Sequence, residues 1–175
     1  MRDPHTRTVP LGTPPGAYLF RVGMWDRDTG IRQLIVNAEG NILGDAVALP
    51  VVINILPASK PPDLDDLPLD TRLETSLAEG LTLLGSSAPS GYDLDVITGW
   101  WTLALYWRCD QAPLPNYLIA IRLLDQTGEI VLRQDDPPAD GRHPTSKWAK
   151  GEIVRDLHSV WMDENLPKGR YTVEI

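Results

Sequence analysis

A motif that stands near both ends of this 175-residue chain restricts its folding more than any other feature. Pro14-Pro15-Gly16-Ala17-Tyr18-Leu19-Phe20-Arg21-Val22 lies near the start, and Pro167-Lys168-Gly169-Arg170-Tyr171-Thr172-Val173-Glu174-Ile175 lies at the end. In each copy proline fixes one backbone angle and glycine admits a positive φ, so the chain turns there. The tyrosine and apolar residues that follow suit a half-buried pleated strand. The first copy runs on through Gly23-Met24-Trp25-Asp26, whereas the second has reached Ile175. The chain therefore reads as a window from a longer array of similar β units, entering late in one and leaving late in the next.

The rest of the pattern is also that of strands and turns. Sixteen prolines and fourteen glycines are spread along the sequence at strand-sized intervals, which disfavours helices. Strands are expected over residues 18–24, 31–36 and 47–56, joined by turns at Asp26-Arg27-Asp28-Thr29-Gly30 and Asn37-Ala38-Glu39-Gly40-Asn41. Three strands cannot close a core and must pack on something else. Pro57, Pro61, Pro62 and Pro68 then fall among acids, a composition suited to a stiff, solvated connection. One short helix is expected over residues 71–79. Asp70 would be its N-cap, Thr71 and Glu74 a capping box, Leu73 and Leu77 its apolar face, and Gly80 its stop.

Beyond Gly80, strands are expected over residues 81–85, 100–108, 117–124, 129–134, 152–161 and 170–175, and Asp125-Gln126-Thr127-Gly128 is a second hairpin turn. In Trp101-Thr102-Leu103-Ala104-Leu105-Tyr106-Trp107 strict alternation places Trp101, Leu103, Leu105 and Trp107 on one, inward face. Trp100, Thr102, Ala104 and Tyr106 take the other face. The fold class is all-β, an antiparallel β-sandwich of immunoglobulin or fibronectin-III type with at most one short helix, and a barrel is the alternative. The expected domains are a three-stranded β segment at 10–56 that ends a preceding repeat, an acidic Pro-rich linker at 57–75, and a β-sandwich unit at 76–175 that lacks its last strands. The first is expected to pack on the third, within one chain or across a strand-exchanged homodimer.

Composition narrows the function classes. The formal net charge is −8, and Asp63, Asp65, Asp66, Asp70, Glu74 and Glu79 crowd one stretch, so a nucleic-acid partner is not expected. The single Cys109 has no partner for an internal disulfide and reads as a small core residue. No run of 18 apolar residues exists, and the polar, proline-broken start is unlike a signal peptide.

Leu83-Leu84-Gly85, Leu103-Ala104-Leu105-Tyr106-Trp107-Arg108, the hairpin at Leu123-Leu124-Asp125-Gln126-Thr127-Gly128, and Pro144-Thr145-Ser146-Lys147-Trp148 before Gly151-Glu152-Ile153-Val154-Arg155-Asp156 carry a family resemblance. With the two Pro/Gly-Tyr motifs, they resemble the extracytoplasmic β-sandwich repeats of bacterial polytopic membrane glycosyltransferases of the polyprenyl-phosphate-sugar, protein-mannosyltransferase-like class. The resemblance covers most of 14–56 and 81–175. It implies a cell-envelope location, outside the cytoplasmic membrane, and a noncatalytic accessory role beside a membrane-embedded transferase. Its partners would be other domains of the same parent protein. The motifs are turns and core aromatics, and the transferases' catalytic acids lie in regions this chain does not contain, so no catalytic residue is carried over.

The residues themselves offer three kinds of chemistry. Asp135-Asp136 with Glu152, or His143 and His158, are the acids and bases from which a hydrolase would start, but Asp135-Asp136-Pro137-Pro138 reads as a strand end and the histidines stand alone. Asp26 and Asp28, and Asp135, Asp136 and Asp140, are oxygen-rich loop residues of the type that bind calcium, although turn chemistry accounts for them and no metal site or cofactor is assigned. Trp100, Tyr106 and Trp148 are not committed to the inward face and are the candidates for stacking on a glycan. The expectation is a noncatalytic scaffold, with carbohydrate binding as the alternative and a hydrolase third.

Overall fold

A computed structural model describes residues 6, 8–28, 31–78, 80–88, 99–163, 165–167 and 169–175; for Ala78, Gly99 and Trp100 only the backbone is described. Thr29, Gly30 and Glu79 therefore lie outside the described residues, as does the Trp100 side chain. The chain divides into two compact units, one of residues 15–57 and one of residues 1–14 with 58–175.

In the smaller unit, β1 (Gly16–Val22) pairs antiparallel with β4 (Val47–Ile55), and two short strands, β2 (Ile35–Val36) and β3 (Ile42–Gly44), pair with each other. The described residues of the expected turns are self-capped. Asp26 accepts the Asp28 N–H at 2.9 Å, and Asn37 accepts the N–H groups of Glu39 and Asn41 at 3.1 and 2.8 Å. These are the local side-chain bonds for which turns select Asp and Asn.

The larger unit is an antiparallel sandwich of four strands on three. Its strands are β5 (Thr71–Ala78), β6 (Leu81–Ser87), β7 (Gly99–Cys109), β8 (Ile119–Leu124), β9 (Ile130–Asp136), β10 (Ile153–Met162) and β11 (Thr172–Glu174). One sheet has the order β10-β7-β6-β5 and the other β11-β8-β9, with no closed barrel. That is the strand count of a constant-type immunoglobulin sandwich. Trp101, Leu103, Leu105 and Trp107 are all buried between the sheets, as the alternation requires, with Leu81, Leu83, Ile119, Ile121, Leu123, Val154 and Val160. Gly85 lies at a bulge in β6, where an added Cβ would stand 2.2 Å from the Thr71 carbonyl oxygen. Such close backbone approach admits only glycine.

The stretch expected to be helical is instead β5, an edge strand with two bulges, and among the described residues the only helical turns are short 3-10 segments at Leu64–Asp66, Pro138–Gly141 and Thr145–Lys147. The capping box does not form. Asp70 instead accepts the Ala88 N–H at 2.8 Å, and Glu74 takes a positive φ of 52° at a bulge. Pairing with β6 satisfies the backbone along this segment and overrides a weak local preference.

The Pro-rich stretch 57–75 is not a free linker either. Residues 58–75 belong to the larger unit, and although most of 57–69 is exposed and outside any ladder, Leu67 is only 6% exposed. It packs with Leu64 and Leu69 on Leu84, Ala104, Tyr106 and Ile153, the outer face of the four-stranded sheet. The boundary at residue 10 shifts as well: Gly12 accepts the Arg155 N–H at 2.7 Å, tying the segment before residue 15 to β10.

Candidate functional site

Of the three aromatics proposed for glycan stacking, Tyr106 and Trp148 are buried, and the Trp100 side chain lies outside the described residues. Tyr106 points away from the main core, as alternation demands, yet is only 1% exposed because the Leu64-Leu67-Leu69 clasp covers it. It anchors a second small core and presents no face to a ligand. Trp148 follows the 3-10 turn Thr145–Lys147 and is 2% exposed. Its Nε1 donates to the His143 carbonyl at 2.9 Å, and its ring stacks on that of His143 with centroids 6.4 Å apart. It too is structural: the loop between β9 and β10 is held down by a large buried ring whose polar atom finds a backbone acceptor.

Trp100 is in β7 directly opposite Trp161 of β10. From Val154 onward burial along β10 alternates, with Asp156, His158, Val160 and Met162 buried and Leu157, Ser159 and Trp161 exposed. Trp161, at 52% exposure, is an aromatic that the outer face presents. Applying the period of two to 152–161 as well as to 101–107 would have found it.

The same alternation carries two ionisable side chains into the core. His158 Nε2 lies 2.7 Å from Asp156 Oδ2, and Asp156 Oδ1 accepts the Ala139 N–H at 2.9 Å. Ala139 and Asp140 hold φ values of 51° and 52°, a left-handed conformation that costs a non-glycine residue free energy. The hydrogen bond to buried Asp156 offsets part of that cost.

A second pair joins His143 Nε2 to Glu152 Oε1 at 2.8 Å, while Glu152 Oε2 accepts the Ala149 N–H at 2.7 Å. Burial opposes charge on Glu152, but the hydrogen bonds from His143 and Ala149 outweigh it and hold the carboxyl below its ordinary 4.5. Asp110 behaves alike: burial works against its charge, and the bonds from Arg108 and Thr82 prevail, keeping its pKa low. Burial pushes the Cys109 thiol upward, and it donates weakly to the Gln111 carbonyl at 3.4 Å, the environment of an inert thiol.

The other acids singled out in the sequence also have structural partners. Asp135 pairs with Arg122 at 2.7 Å, Asp136 accepts from Gln134, and Asp140 pairs with Arg142 at 2.9 Å. Among the described residues no group of three or more His, Cys, Asp or Glu side chains converges to hold a metal ion. Nor is any described helix long and apolar enough to cross a membrane.

The most distinctive surface is the β1–β4 ribbon. Its register pairs Tyr18 with Ile53 and Val22 with Val47, so one face carries Tyr18, Phe20 and Val22 beside Val47, Leu49, Val51, Ile53 and Ile55. Every member is apolar, and Phe20, Val22, Val47, Leu49, Val51 and Ile53 are all exposed. The opposite face carries Ala17, Leu19 and Arg21 with Ala48, Pro50, Val52 and Asn54. A two-stranded ribbon with one wholly apolar face is half of a core. No protein-family model matches the chain, and no curated protein or solved structure matches it either.

Proposed function

We propose that this chain is a noncatalytic β-sandwich module of a bacterial cell-envelope protein, placed outside the cytoplasmic membrane beside a membrane glycosyltransferase, and that its role is assembly with other domains. The observation that carries this reading is the uniformly apolar, exposed face of the β1–β4 ribbon, which is unfavourable in water and favours recruiting a second β surface. The envelope location rests on the resemblance of the turn and core motifs to extracytoplasmic repeats. Both buried histidines are bonded to carboxylates within the scaffold, which supports the noncatalytic part. The test is turnover of a panel of envelope oligosaccharides and polyprenyl-phosphate sugars. A scaffold gives none, and any turnover abolished by Glu152→Gln or Asp156→Asn refutes the reading.

One observation favours a second reading, carbohydrate binding. Trp161 is half exposed on the outer face of β10, on the same side as Leu157 and Ser159 and opposite Trp100 in register. A flat aromatic beside a hydroxyl on a rigid strand suits the apolar face of a sugar ring. In this reading a glycan quenches tryptophan fluorescence and Trp161→Ala abolishes the response; the same titration of Trp161→Ala and the unaltered chain giving equal affinities removes it.

A further inference from the structure

The duplicated Pro/Gly-Tyr motif allows the apolar ribbon to be compared with a strand whose packing is known. In the second copy Tyr171, Val173 and Ile175 pack against the main core, and the strand they form, β11, lies antiparallel to β8 at the edge of the three-stranded sheet. The first copy, β1, has Tyr18, Phe20 and Val22 at the matching positions and is joined on one side to β4. The two copies thus pair on different sides, β11 with β8 and β1 with β4, in separate sheets.

The larger unit has room for such a strand. Gln134 of β9 donates to the Ser159 carbonyl of β10 at 3.2 Å, placing β9 beside β10. Running β9-β8-β11 against β10-β7-β6-β5 from that end leaves three strands stacked on four, with β5 uncovered among the described residues. Exposure along β5 agrees. Thr75 is exposed although its register partner Leu83 is in the core, and Leu73 and Leu77, at the two bulges, are exposed as well. Among the described residues the outer edge of β11 is unpaired in the sheet order, so the position above β5 continues the β8–β11 ladder.

We propose that this position is filled by the β1–β4 ribbon of a second copy of this chain, which extends the three-stranded sheet past β11 and lays its apolar face over β5. The inference rests on the reading of the ribbon as an assembly element and names its partner. A shared motif makes the two surfaces alike in strand spacing and side-chain alternation, and annealing to a free edge satisfies backbone groups that water otherwise solvates.

Sedimentation equilibrium of the full chain over a range of concentrations tests the proposal. Val51→Lys, on the apolar face, and Leu77→Lys, on exposed β5, are each expected to raise the dimer dissociation constant at least about tenfold. Val52→Lys, on the other face of the ribbon, and Leu118→Lys, exposed elsewhere in the sandwich, are expected to leave it unchanged. Circular dichroism of each variant establishes that the fold persists. A chain that is monomeric at every concentration overturns the proposal. A dimer that Val51→Lys dissolves and Leu77→Lys leaves intact also overturns it, while the assembly reading of the ribbon stands.

Discussion

Replacing Trp148 by alanine separates a ligand-binding aromatic from a structural one. At 2% exposure, with its Nε1 bonded to the His143 carbonyl and its ring against His143, the side chain is part of the core. Truncation removes the ring's contacts and leaves a cavity, a loss of about 3–5 kcal/mol for a large aromatic. Trp148→Phe keeps most of the packing but strips the His143 carbonyl of its buried donor, at about 1–3 kcal/mol. Urea unfolding followed by far-ultraviolet circular dichroism reads both. With a slope of about 2 kcal/mol per molar urea, the alanine variant's midpoint should fall by about 2 M, and the phenylalanine variant's by a quarter to three-quarters of that. A domain at the low end of ordinary stability, about 5 kcal/mol, survives the second change and is left marginal by the first. A midpoint within about 0.3 M of the unaltered chain for Trp148→Ala, or equal losses for the two variants, would refute the packing argument.

Three further outcomes follow from the buried network and the outer-face clasp. Asp156→Ala removes the acceptor shared by His158 and the Ala139 N–H and should cost about 3–5 kcal/mol in urea unfolding; a loss below about 1 kcal/mol shows that the pair does not hold the 138–141 turn. The Glu152 carboxyl is held below its ordinary value of 4.5, so its contribution is fully present above that pH and disappears as pH falls through the folded-state value. The unfolding midpoint should therefore decline on acidification across that window, and Glu152→Gln should flatten the decline; parallel profiles for the two proteins contradict this. Leu67→Ala should destabilise by about 2–5 kcal/mol and open Tyr106 to an aqueous quencher, whereas an unchanged midpoint would mean that the clasp contributes no packing.

What was legible in the sequence was periodicity and turn chemistry. The alternation at 101–107 assigned Trp101, Leu103, Leu105 and Trp107 to the core, and Asp and Asn at 26, 37 and 125 marked turns that those side chains do cap. Both signals are local, set by the strand's period of two and by bonds to backbone a few residues away. The helix expected at 71–79 failed because Leu73 and Leu77 are four residues apart. That spacing puts two side chains on one face of a helix but, being even, is equally a strand spacing, and only pairing with β6 chose between them. Alternation likewise sent Tyr106 to the outer face without revealing that Leu67, distant in sequence, lies over it. The same limit hid the burial of Trp148, and it hid the pairing of Asp156 with His158 beneath the 138–141 turn. A strand's sequence determines which way each side chain points. What lies on that side is decided only when sheets stack and loops close over them, because burial is a property of the facing surface and the facing surface comes from elsewhere in the chain.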